Sequence, residues 1–102
     1  MLSHIVIFWL KPELEPSQII AFREGLDSLK GIPGTRGLYI CTPAKISPRP
    51  VIDSSYSIAM TILFDSLSDQ DAYQIHPLHQ AFLNRFKSDW SKVIVYDYML
   101  CI

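Results

Sequence analysis

Two stretches of this sequence are apolar at nearly every position, which commits the chain to a sheet whose two faces both need covering. Residues 4–10 (His-Ile-Val-Ile-Phe-Trp-Leu) and 56–64 (Tyr-Ser-Ile-Ala-Met-Thr-Ile-Leu-Phe) are rich in β-branched and aromatic side chains, as strands are. Strand alternation puts His4, Val6, Phe8 and Leu10 on one face and Ile5, Ile7 and Trp9 on the other. It likewise separates Tyr56, Ile58, Met60, Ile62 and Phe64 from Ala59, Thr61 and Leu63. A sheet with one wet face would show polar residues in alternate places, and these strands do not.

The remaining elements follow from changes of period. From Ser17 onward Ile19, Phe22, Leu26 and Leu29 recur at helical spacing, and Gly31 with Pro33-Gly34 supplies the stop. Residues 37–42 read as a second strand, and the prolines at 43, 48 and 50 make 43–54 a loop. Ser66 with Asp69 three residues on marks a helix start, and a short helix runs through Tyr73 and Ile75. His76-Pro77 interrupts it, and Pro77 suits the first position of a new helix, expected from Leu78 to about Lys92. Residues 93–100 read as the last strand. The order β-α-β-β-α-β predicts one α+β domain over residues 1–102, with a ferredoxin-like sheet. Helices on one face leave the other uncovered, and a second copy of the same sheet is the simplest cover, so a homodimer is expected.

Composition removes several classes of function. With 49% hydrophobic and 19% charged residues the chain is not a disordered tail. Its net charge is −1 and its nine basic residues are scattered, so no nucleic-acid partner is indicated. The first apolar run, Ile5 to Leu10, is too short for a membrane span or a signal peptide, and a cytoplasmic protein without membrane contact is expected. Cys41 and Cys101 form no CxxC and read as reduced thiols. No Gly-x-Ser-x-Gly and no GxGxxG occurs, so neither that nucleophile nor a nucleotide cofactor is expected.

Three histidines remain as carriers of chemistry. His79 precedes Phe82, Leu83, Phe86 and Trp90 on one helical stripe, which turns it toward the sheet. Tyr73 ends the preceding helix near the same region, and His4 shares a strand face with Val6 and Phe8, so one cavity is open to all three. A histidine in an apolar pocket stays neutral, as a general base must, and a tyrosine hydroxyl donates to a developing oxyanion. An inward histidine is nonetheless more often a satisfied core residue than a catalyst. His76-x-x-His79 has no acidic third ligand nearby and Pro77 between its members, so no metal is expected. Asp97 reads as a charge at a sheet edge or interface, paired or hydrogen-bonded, and Phe8, Phe22, Phe82, Phe86 and Trp90 as core.

The opening His4-Ile5-Val6, the segment from Tyr73 to Phe82 (Tyr-x-x-His-Pro-x-His-x-x-Phe) and the closing residues 93–98 resemble the stress-responsive A/B barrel family. The resemblance spans nearly the whole chain and implies a dimeric α+β barrel. The family includes a plant polyketide cyclase that performs an intramolecular aldol condensation without metal or organic cofactor. By resemblance His79 is the general base and Tyr73 the residue that holds that base and the reacting carbonyl. His4, Val6, Phe8, Phe22, Met60, Ile62, Phe82 and Trp90 then line the cavity for a small apolar or aromatic oxo compound. Leu26 replaces a pocket tyrosine of that cyclase, Arg23 a phenylalanine, Leu83 a glycine and Arg85 a valine. Leu83 should shorten the cavity, and an inward arginine would suit a carboxylate. Three functions stay open: a cofactor-free cyclase or lyase, a non-catalytic stress-associated binding protein, and a cofactor-free monooxygenase or haem-degrading barrel.

Overall fold

The computed structural model describes residues 1–101. The chain runs β1 (Leu2–Leu10), α1 (Pro16–Ser28), β2 (Thr35–Cys41), β3 (Ile58–Phe64), α2 (Leu67–Ile75), α3 (Pro77–Phe86) and β4 (Trp90–Met99). The strands form one antiparallel sheet in the order β2-β3-β1-β4, the ferredoxin-like arrangement, with the helices on one face.

Alternation along the two apolar strands is complete. Leu2, His4, Val6 and Phe8 of β1 and Ile58, Met60, Ile62 and Phe64 of β3 are buried against the helices, while their neighbours on the other face are half-buried. Phe22 of α1 is the hub of that core: its ring meets Phe8 edge-on at 5.1 Å and Phe82 and Phe86 at 5.6 Å each. Side chains this large and this dry contribute about 3–5 kcal/mol each against truncation. Gly25 allows α1 and α3 to close, because a Cβ there would collide with the Phe86 ring.

Local chemistry sets the helix boundaries. Pro16 occupies the first turn of α1 and Gln18 Oε1 accepts from the Glu15 amide at 2.7 Å. Ser66 caps α2 through the Asp69 amide. Pro77 pushes His76 into an extended conformation (φ −65°, ψ 140°), which ends α2 and starts α3 at once.

Several boundaries differ from the sequence expectation, among them β2, which begins at Thr35 rather than 37, and β4, which begins at Trp90 rather than 93. β1 begins two residues earlier, at Leu2, and β3 begins at Ile58 rather than Tyr56. α3 stops at Phe86 instead of continuing to Lys92, followed by a single 3-10 turn over Lys87–Asp89. Trp90 therefore belongs to β4, not to the last helix. The ladder with β1 captures it: Trp90 pairs with Leu10, and the Lys11 amide donates to the Asp89 carbonyl at 2.9 Å.

Candidate active site

Between the helix-facing side of the sheet and helices α2 and α3 lies a cavity of about 280 Å3. Register builds one wall. His4, Val6 and Phe8 of β1 stand beside Asp97, Val95 and Val93 of β4. The helices leave β4 bare, with Val93 39% and Val95 48% exposed, so the cavity opens along that edge strand.

One end of the cavity is made by the joint between α2 and α3. The Gln74 carbonyl sits in the last turn of α2, where helix geometry leaves it without a partner in the helix. His79 fills that need from the first turns of α3, its Nδ1–H donating to Gln74 O at 3.1 Å, and Gln80 Nε2 donates to the same oxygen at 3.0 Å. Since a backbone carbonyl only accepts, the bond places the proton on Nδ1 and leaves Nε2 with its lone pair. Burial holds the His79 pKa below its ordinary value; the Gln74 carbonyl opposes this and the nearby His4 adds to it.

Tyr73 lies beside it, ring centroids 4.8 Å apart. Its side chain is fully buried and its hydroxyl has no hydrogen-bond partner among the described residues. Burial pushes the phenol far above its usual pKa, so the hydroxyl keeps its proton and remains a donor. A buried donor without an acceptor costs about 1–3 kcal/mol, a penalty that an oxygen atom placed in the cavity would relieve.

The other end is polar in a different way. His4 is buried, and its Nδ1 lies 2.6 Å from Asp97 Oδ1. Gln70 Nε2 donates to that same oxygen at 2.9 Å and lies 3.0 Å from His4 Nδ1. The Tyr73 ring stands near both histidines, 5.9 Å from His4.

Of the residues singled out from the sequence, His4, Val6, Phe8, Met60, Tyr73, His79, Phe82 and Trp90 line this cavity. Phe22 and Ile62 do not, and this corrects their assignment: both are fully buried, Phe22 behind Phe8 and Phe82, Ile62 between the β1 and β2 partners His4 and Leu38. Leu26 likewise belongs to the core, whereas Leu83 does line the cavity. Arg23 and Arg85 are exposed and off the cavity wall, with the Arg85 guanidinium over the Phe86 ring, so no cation awaits a carboxylate there. His76 Nδ1 accepts from the Leu78 amide as the cap of α3. Among the described residues no three His, Cys, Asp or Glu side chains converge as metal ligands.

Sequence reasoning missed Gln70, Gln74, Leu29, Val93 and Val95, and left Asp97 as an edge charge. Asp97 does lie on an edge strand, but its carboxylate is turned toward the cavity. A parity signal was available: once β4 pairs with β1 from end to end, Val93, Val95 and Asp97 share a face with Phe8, Val6 and His4. Gln70 lies one helical turn before Tyr73 and so shares its face.

The sequence model of the stress responsive A/B barrel domain matches residues 2–100. The chain belongs to this family. Olivetolic acid cyclase of Cannabis sativa is 25% identical to this A/B barrel protein over 97 residues, 94% of this chain and 93% of the cyclase. Two solved structures share the fold. A dimeric ferredoxin-like protein from Thermobifida fusca superposes with a TM-score of 0.80 at 21% identity, over 97% of this chain and 90% of its own. A hydroxynitrile lyase from Passiflora edulis gives a TM-score of 0.81 at 21% identity, over 98% and 93% of the two chains. Among the described residues no helix is long and apolar enough to cross a membrane.

Proposed function

We propose that this A/B barrel protein is a homodimeric, cofactor-independent enzyme of cyclase or lyase type that acts on a small oxo compound in the cavity. The observation that carries the reading is the pairing of an unpartnered, fully buried Tyr73 hydroxyl with a His79 whose proton is pinned on Nδ1. One group donates and has nothing to donate to; the other is a neutral base with its free nitrogen remaining for substrate.

The chemistry follows from a carbon flanked by two carbonyls. His79 Nε2 removes a proton from that carbon, and the electron pair of the C–H bond moves into an enolate. Tyr73 donates a hydrogen bond to the enolate oxygen. The enolate carbon then bonds to a second carbonyl carbon of the same molecule, and the alkoxide so formed takes the proton back from the His79 imidazolium. No redox partner enters, and a carbon already acidic needs little beyond one positioned base and one oxyanion donor. Cyanohydrin cleavage requires the same parts in another order: a base removes the hydroxyl proton, a carbonyl forms and cyanide leaves. A cyclase and a hydroxynitrile lyase among the similar proteins support this range of substrates.

The homodimer rests on the outer sheet face. Ile5, Ile7, Trp9, Leu63 and Ile94 are half-buried there, and Tyr39, Tyr96 and Tyr98 are 57%, 46% and 52% exposed. An apolar face this continuous exceeds what a monomer ordinarily leaves in water, and a solved neighbour of the same fold is described as dimeric.

A panel of 3,5-dioxo thioesters and cyanohydrins, assayed with wild type and His79→Ala, tests the function. Turnover of any member that falls by two or more orders of magnitude in the variant supports it. Ligand binding with no turnover of any member replaces it with a non-catalytic binding protein.

A further inference from the structure

The mechanism above leaves His4 and Asp97 on the cavity wall unused, although both are hydrogen-bonded to the buried Gln70 side chain, itself off that wall. Three polar atoms meet there within hydrogen-bond distance of one another: His4 Nδ1, Asp97 Oδ1 and Gln70 Nε2. We infer that Gln70 is a positioning residue whose amide holds the Asp97 carboxylate against His4, fixing His4 Nε2 as a bare acceptor for a ligand hydroxyl. The inference rests on the cavity being a ligand site, and it specifies the ligand as neutral and hydroxyl-bearing where it meets His4.

The assignment follows from the shared oxygen. Were His4 Nδ1 without a proton, its lone pair would face a carboxylate oxygen 2.6 Å away, lone pair against charge. With the proton present, that distance is a short charge-assisted hydrogen bond. Asp97 Oδ1 then accepts from His4 and from Gln70 together, and in the neutral imidazole, the form assigned to His4, Nε2 carries the lone pair. Asp97 on its own would be poorly held, since its side chain is 45% exposed on the uncovered edge strand β4. Gln70, only 6% exposed on α2, is the rigid partner that ties the carboxylate inward. The wall carries no lysine or arginine, and Asp97 adds a negative charge, so a carboxylate-bearing ligand is repelled.

The test pairs ring 15N NMR with two probes that differ by one hydroxyl, 3-propylphenol and propylbenzene. In wild type a proton on His4 Nδ1, an NOE between it and the Gln70 side-chain amide, and slow exchange of that amide are expected. Gln70→Met keeps the length and removes the donors. It should broaden or redistribute the His4 nitrogen signals and reduce a roughly tenfold preference for the phenol to near one, the loss of about one hydrogen bond. His79 signals should stay where they are. An unprotonated Nδ1 in wild type, or unchanged His4 nitrogens with the phenol preference intact in Gln70→Met, overturns the inference. Should the variant fail to fold, the wild-type NOE and amide exchange decide alone: both present supports Gln70 in this role, and their absence removes it. If neither probe moves His79 in wild type, the ligand-site reading falls, and the His4 nitrogens still decide what Gln70 holds in place.

Discussion

The cavity has a histidine at each end, and the two are held by opposite means. His79 sits at the helix joint, where a backbone carbonyl orients it and burial disfavours its charge. His4 sits on the inner strand β1, beside the edge strand β4, where a carboxylate and an amide share its Nδ1 side. The first environment suits a base that must stay neutral until it takes a proton. The second suits a fixed acceptor that orients a ligand. Residue type alone does not separate the roles; the partner on the second ring nitrogen does.

The largest break in this contrast is His79→Ala. Removing a positioned base is expected to lower turnover on the responsive substrate by about 10²–10⁴-fold, while a steady-state assay of His4→Ala shows mainly weaker binding. Equal losses at both ends would erase the distinction. Tyr73→Phe comes next. Loss of one oxyanion donor should cost about 10²–10³ in turnover, yet thermal unfolding should show a protein about 1 kcal/mol more stable, because the orphaned hydroxyl is gone. A variant that loses stability would mean that the hydroxyl has a structural partner.

Asp97→Leu sharpens the other end. It strips His4 and Gln70 of their common acceptor, and denaturant unfolding should register a loss of about 1–3 kcal/mol, with the His79 titration unmoved. The smallest effect is that of pH. His79 has a folded pKa below its unfolded value, so the unfolded state binds more protons between the two. Its contribution is therefore fully present above about pH 6.5 and declines as pH falls from there toward the folded pKa. Melting temperatures of wild type and His79→Gln should diverge over that window, with wild type losing more. A parallel decline would place His79 in an environment no drier than water.

How much of the site was legible depends on the distance in sequence over which its residues had to be related. Tyr73 and His79 are six positions apart, and the His76-Pro77 joint that sets their geometry is written between them, so helical spacing sufficed to bring them together. The Gln74 carbonyl that fixes the His79 tautomer is a consequence of where α2 ends, and Pro77 announces that end. Phe22 and Ile62 were placed at the wall by resemblance, but depth within a core is not a property of spacing. Phe22 is walled off by the rings of Phe8 and Phe82, and Ile62 by its place in the middle of the sheet.

The sequence by itself determined the element order, the face on which each strand residue lies and the uncovered second face of the sheet, because these follow from periods of two and 3.6 residues. Only the tertiary structure decided that Asp97 meets His4 across 93 residues, that Gln70 joins them, and that Trp90 leaves the helix for the sheet. Those contacts are set by the register of β4 on β1, fixed by the pairing of the whole ladder rather than by any local pattern.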